Sequence, residues 1–122
     1  MKKIIITKYG PLEVIQVCEL KTPIPKDNQV LVQNYFTGVN FSEIRARIRL
    51  YPGAPKPPST LGSEACGIVE SVGKDVTRIK PGDKVMLFCR FNSYATHIIT
   101  NEEMVMSLPE DFSLEEGAAF PL

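Results

Sequence analysis

The sequence carries no net charge, no cysteine pair at metal-binding spacing, no long apolar run and no glycine-rich phosphate turn. Each absence removes a class of function. Lys and Arg total 14 and so do Asp and Glu, so no long-range field draws the chain to nucleic acid or an anionic membrane. The three cysteines, Cys18, Cys66 and Cys89, are odd in number and widely spaced. They argue against a disulfide framework and for a reducing compartment. No window approaches the ~20 apolar residues needed to span a bilayer. Met1-Lys-Lys-Ile-Ile-Ile-Thr-Lys8 sets basic residues before an apolar run, yet the run breaks at Lys8 and no small-residue cleavage site follows. The expectation is a soluble, cytoplasmic chain whose 122 residues form one domain, burying roughly two-thirds of the unfolded surface.

What is present is a series of short strands with Gly/Pro punctuation. Residues 4–8 and 12–20 flank Gly10-Pro11 and read as a hairpin-like pair, with Val14, Gln16 and Cys18 on one face of the second run. Pro23 and Pro25 break the ladder and make a surface connection. Residues 30–37 form the next strand, with Val30, Val32 and Phe36 on one side and Leu31, Gln33 and Tyr35 on the other. Phe41, Ile44 and Ile48 then recur at helical spacing and predict a short helix burying that stripe. Residues 50–60 carry Pro52, Pro55, Pro57 and Pro58 and read as a loop over the mouth of a barrel. Strands return at 64–72, 84–89, 94–100 and 104–108. The pattern predicts a mainly-β, barrel-like domain with one or two short helices.

Two local signals are stronger. In Leu61-Gly-Ser-Glu-Ala-Cys-Gly-Ile-Val-Glu-Ser-Val-Gly73 a carboxylate, Glu64, stands at the mouth of a buried strand. The Pro81-Gly82 that follows presets a tight turn, proline fixing φ at the second position and glycine accepting positive φ at the third. Ser113-Leu-Glu-Glu116 is a capping box at a helix start. The chain stops at Leu122 with scarcely two turns written, and a helix that short is marginal alone. The expectation is that these residues open a longer protein.

In order along the chain, several segments resemble the medium-chain dehydrogenase/reductase family. They are Tyr9-Gly-Pro11 with Val14, Gly38-Val-Asn-Phe41, Leu50-Tyr-Pro52, Leu61-Gly-Ser-Glu64, Gly67-Ile-Val-Glu-Ser-Val-Gly73, Pro81-Gly-Asp-Lys-Val85, Leu108-Pro109 and Glu116-Gly-Ala-Ala119. The resemblance is to the N-terminal, GroES-like domain of zinc-independent quinone oxidoreductases and the related vesicle amine transport protein branch. It implies a partly open β-barrel and an NAD(P)H-dependent reduction of a quinone or α,β-unsaturated carbonyl. It further implies NADPH held mainly by a doubly wound Rossmann domain, which would begin beyond Leu122, and it allows a homodimer when full length. Zinc-dependent relatives place a cysteine and a His-Glu pair where this sequence has Asn40 and Ser63-Glu64. Amide and hydroxyl do not replace thiolate and imidazole as zinc ligands, so no zinc is expected. Cys66, Cys89 and His97 fit no metal spacing.

Each candidate residue also has a plainer reading. Asn40 caps the Phe41 helix with Glu43 completing a box, or lies near nicotinamide and substrate carbonyl as the resemblance implies. Tyr51 is an amphipathic loop residue or a pocket wall and hydroxyl donor. Glu64 is a rim salt-bridge partner or a carboxylate orienting a neighbouring polar group. Phe41, Arg45, Ser63 and Glu64 are assigned to the substrate pocket, with Asn40 and Tyr51 as the groups touching the reacting centre. Arg45 and Arg49 are i,i+4 neighbours, with Arg47 offset towards Glu43. They form a solvated basic face, or a basic entrance favouring acidic substrates. Two other functions stay open: a GroES-like interaction module without catalysis, since fold alone does not assign function, and a membrane-associated reductase homologue. No membrane signal is visible.

Overall fold

Two nine-residue strands, β3 (Gln29–Thr37) and β5 (Glu64–Val72), pair antiparallel at the centre of the fold. A computed structural model describes all 122 residues. β7 (His97–Asn101) adds to β3, while β6 (Lys84–Phe88) and then β8 (Val105–Ser107) add to β5, giving the order β7-β3-β5-β6-β8. A smaller sheet, β2-β1-β4, joins β1 (Lys2–Ile6), β2 (Ile15–Glu19) and β4 (Ser59–Thr60). The result is a mainly-β, curled half-barrel with two short helices, α1 (Phe41–Arg47) and α2 (Leu114–Ala119). Neither helix is long and apolar enough to cross a membrane.

Alternation along the strands writes the core. Val85 and Leu87 of β6 enter the main cluster with Val30, Val32, Ala65, Val69, Ile98 and Val105. Met86, between them, faces the other way and packs with Cys66 and Ala118 beneath α2. The central strands are thus covered on both faces. A second cluster, Ile6, Val14, Ala46 and Leu61, joins the small sheet to α1. At Pro81-Gly82 the expected turn is present. Gly82 has φ 93°, and Asp83 N donates to Lys80 O at 3.2 Å. The capping box of α2 is complete, with Glu116 N on Ser113 Oγ at 3.1 Å and Ser113 N on Glu116 Oε2 at 3.0 Å.

Several local expectations are corrected. Residues 12–14 make a 3-10 turn before β2 rather than its first part, and residues 59–60 leave the proline loop to pair with β1. Two register shifts mark the β3–β5 pairing: Glu70 is extra on β5 between the Leu31 and Val32 pairs, and Tyr35 is extra on β3 between the Asn34 and Phe36 pairs. Val30, Leu31 and Val32 are all buried, and Phe36 is exposed because the extra Tyr35 resets which face follows. The stripe of α1 is turned outward. Phe41, Ile44 and Ile48 are exposed, and Glu43 and Ala46 are the buried residues.

Candidate functional site

The site begins where β3 runs into α1. Gly38 lies against the first residue of β5. Its N–H donates to Glu64 O at 3.2 Å, and a side chain there would collide with the Glu64 carboxylate. Thr37 Oγ1 donates to the same carbonyl at 2.7 Å. This close approach puts Asn40 beside Glu64, and Asn40 Nδ2 donates to Glu64 Oε1 at 2.9 Å. The second oxygen, Oε2, accepts from Leu122 N at 2.9 Å. Glu64 is only 3% exposed, and its partners are neutral N–H donors rather than a cation. Of its two readings, the rim salt bridge is therefore corrected, because no ammonium or guanidinium reaches it, and the geometry is that of an orienting carboxylate.

Asn40 also starts α1. Its backbone N–H donates to Glu43 Oε2 while its side chain is committed to Glu64. One residue thus both starts the helix and bonds the first carboxylate of β5. Glu43 is buried because it closes this turn and accepts from Tyr94 OH at 3.4 Å. Burial, and then the charge of Glu43, push the Tyr94 phenol above its ordinary range. The expected Arg47–Glu43 pair is corrected: Glu43 Oε1 and Arg47 Nε are both buried without a partner. They line a separate, largely apolar cavity of about 340 Å³ between the small sheet and α1.

Beside the Asn40–Glu64 pair opens a second cavity of about 370 Å³, walled by Ser42, Tyr51, Ser63, Phe88, Cys89, Arg90 and Phe91. Tyr51, Pro52 and Gly53 bring the proline loop over it, as the loop's position in the sequence suggested. Ser63 is buried at its floor, and Cys89 N donates to Ser63 O at 2.7 Å. Burial pushes the Cys89 thiol up to about 12. Of the candidates, Tyr51 and Ser63 line this cavity directly, while Asn40 and Glu64 form the bonded pair behind it. Phe41 is 70% exposed and lines neither cavity.

Arg45 and Arg49 line neither cavity. Arg45 Nε donates to Leu50 O at 3.2 Å, and the Arg49 guanidinium lies 5.6 Å from the centre of the Tyr9 ring. Arg90 is the cation that borders the cavity. Sequence reading missed it together with Phe91, since neither belongs to a motif. His97 lies apart, with Nε2 3.4 Å from Glu70 Oε1. No three His, Cys, Asp or Glu side chains gather into a possible metal-ligand set.

Comparison with known proteins places this geometry among relatives. Residues 26–110 match the family described as the alcohol dehydrogenase GroES-like domain. A quinone oxidoreductase of Pseudomonas aeruginosa is 38% identical over 99% of the chain. The crystal structure of human synaptic vesicle membrane protein VAT-1 homolog-like protein superposes with a TM-score of 0.94 at 32% identity, covering 100% of this chain and 39% of that one. Escherichia coli quinone oxidoreductase complexed with NADPH gives 0.90 at 35% identity, covering 98% and 37%. The chain spans between 25% and 37% of the length of the curated relatives it matches.

Proposed function

The chain belongs to the alcohol dehydrogenase GroES-like domain family of the medium-chain reductases, and from that premise we propose that it forms the substrate-side wall of a metal-independent oxidoreductase acting on quinones or α,β-unsaturated carbonyls. NADPH, when bound, supplies the hydride. In this proposal it is held mainly by a second, doubly wound domain of the same protein, in line with the short span of the relatives that this chain covers. The groups beside the cavity fit a nicotinamide carboxamide and an acceptor carbonyl, both of which need neutral hydrogen-bond partners. They do not fit zinc, because amide and hydroxyl groups offer neither thiolate nor imidazole. Cys89, the one thiol on the cavity wall, is kept neutral by burial, with no set of three His, Cys, Asp or Glu around it.

One observation carries the reading: a buried carboxylate fixes the amide of Asn40 beside a cavity lined by the hydroxyls of Ser42, Tyr51 and Ser63. Charge develops on the acceptor oxygen during reduction, and donors fixed beforehand stabilise it without reorganising. Asn40 Nδ2 has a second N–H beyond the one given to Glu64, and Tyr51 brings a hydroxyl to the neighbouring cavity. Glu64 acts through Asn40, holding its amide in one orientation. Ser63 closes the floor, and the Tyr51 loop limits water.

The test is NADPH oxidation by the protein with its nucleotide domain, given 9,10-phenanthrenequinone and a linear enal. Asn40→Ala is expected to lower kcat about 10²-fold, in the range seen when one such donor is removed, with unchanged metal content. Equal kcat in the two proteins would refute the assignment. A second reading, an interaction module without catalysis, is favoured by the exposed Leu12, Ile15, Val17 and Leu20 along the small sheet. It predicts no NADPH oxidation with either acceptor.

A further inference from the structure

Phe91 holds a backbone conformation that bulky residues rarely adopt, with φ 60°. The chain is pinned on both sides of it. Cys89 N donates to Ser63 O, while Asn92 N and Ser93 N both donate to Gly62 O, at 2.8 and 3.1 Å. Phe91 N itself donates to Cys89 O at 2.9 Å. A sparsely populated backbone persists only where its surroundings over-determine it, and such residues concentrate at binding sites.

The ring's position gives an independent observation. Phe91 packs against the cluster of Ile6, Val14, Ala46 and Leu61 on one side and walls the cavity on the other. Within that cavity its ring meets Tyr51 edge-on, with centroids 5.7 Å apart and planes at 77°. Tyr51 is half exposed on the proline loop, whereas Phe91 is anchored.

We infer that Phe91 is a specificity-determining residue, a core-anchored aromatic wall that with Tyr51 selects acceptors bearing a flat conjugated ring over linear ones. A flat ring lying against the face of one aromatic meets the edge of the other, and both arrangements are favourable. A linear enal presents no π-face of comparable area and gains little from either. Because the backbone of Phe91 is already fixed, its ring loses little freedom when an acceptor binds. The inference rests on the cleft being an acceptor site, and the experiment separates the two claims.

Ring-proton NMR shifts of Tyr51 are followed as 9,10-phenanthrenequinone or trans-2-hexenal is added to the protein and to Phe91→Asn and Phe91→Tyr. Asparagine tolerates the left-handed backbone but lacks the ring, so it keeps the turn while removing the wall. Thermal melting monitors folding of each protein. The quinone is expected to shift the Tyr51 signals in the parent and in Phe91→Tyr, and to bind at least tenfold more weakly to folded Phe91→Asn. The enal's binding should change less than twofold. Equal weakening of both ligands, an unaffected quinone, or no quinone shift in the parent overturns the inference. Loss of fold in Phe91→Asn moves the comparison to Phe91→Gly, with the same outcomes. Quinone binding without NADPH oxidation would sink the proposed reduction and leave the aromatic wall standing.

Discussion

Cys89 poses a chemical problem, because a thiol in a cleft proposed to take electrophilic acceptors invites conjugate addition. Its burial answers that problem. The residue is 4% exposed, and desolvation pushes the thiol up to about 12, so at pH 8 only about one molecule in 10⁴ carries the reactive thiolate. With N-ethylmaleimide at pH 7.5, the partly exposed Cys18 should be labelled first and Cys89 spared, as read by peptide mass spectrometry. Labelling of Cys89 at the rate of Cys18 would contradict the burial argument. The same shift has a stability consequence. Desolvation likewise raises Cys66, to about 11, so both thiols ionise more readily unfolded, from about 9 upwards, than folded. Their contribution is fully present below pH 9 and is lost as pH climbs towards 11 and 12. The melting temperature should therefore fall over that window, and less steeply in Cys89→Ala.

At the scale of elements, α1 shows what a periodic pattern does and does not specify. Phe41, Ile44 and Ile48 predict a helix in the right place, yet the helix buries Glu43 and Ala46 instead. Period alone gives a stripe, and the polar group that closes the first turn decides which stripe turns inward. Glu43 must reach back to accept from the Asn40 backbone N–H and meet Tyr94, and Ala46 is small enough to fit against Ile6 and Leu61. Glu43→Ala should accordingly cost about 1 kcal/mol or more through the lost cap, while Ile44→Ser should stay within about 0.5 kcal/mol. Urea unfolding measures both, and the reverse ranking would mean that the apolar stripe is the buried one. The α2 cap and the Pro81-Gly82 turn were legible because they rest on local geometry alone. The bulges of β3 and the pairing of residues 59–60 were not, since both depend on partners distant in sequence.

Across the molecule, the two halves of the site come from segments 24 residues apart in sequence, joined because Gly38 lets β3 approach the start of β5. The candidates there, Asn40, Tyr51, Ser63 and Glu64, could be named from the sequence because motifs carry them. Phe91 and Arg90 could not, as they reach the cavity only through the path of the β6–β7 connection. The exposed placement of Phe41 and the outward positions of Arg45 and Arg49 likewise follow from the turn of α1, which the pattern left open. The proposal that joins these pieces is that Glu64 works through Asn40, to which it is hydrogen-bonded. The most direct measurement is a double-mutant cycle on NADPH-dependent turnover of 9,10-phenanthrenequinone with Asn40→Ala, Glu64→Gln and the pair together. If the carboxylate acts only by orienting the amide, the double variant should be no slower than Asn40→Ala alone, about 10²-fold below the parent. Losses in kcat that multiply would contradict the account, because Glu64 would then act independently of Asn40.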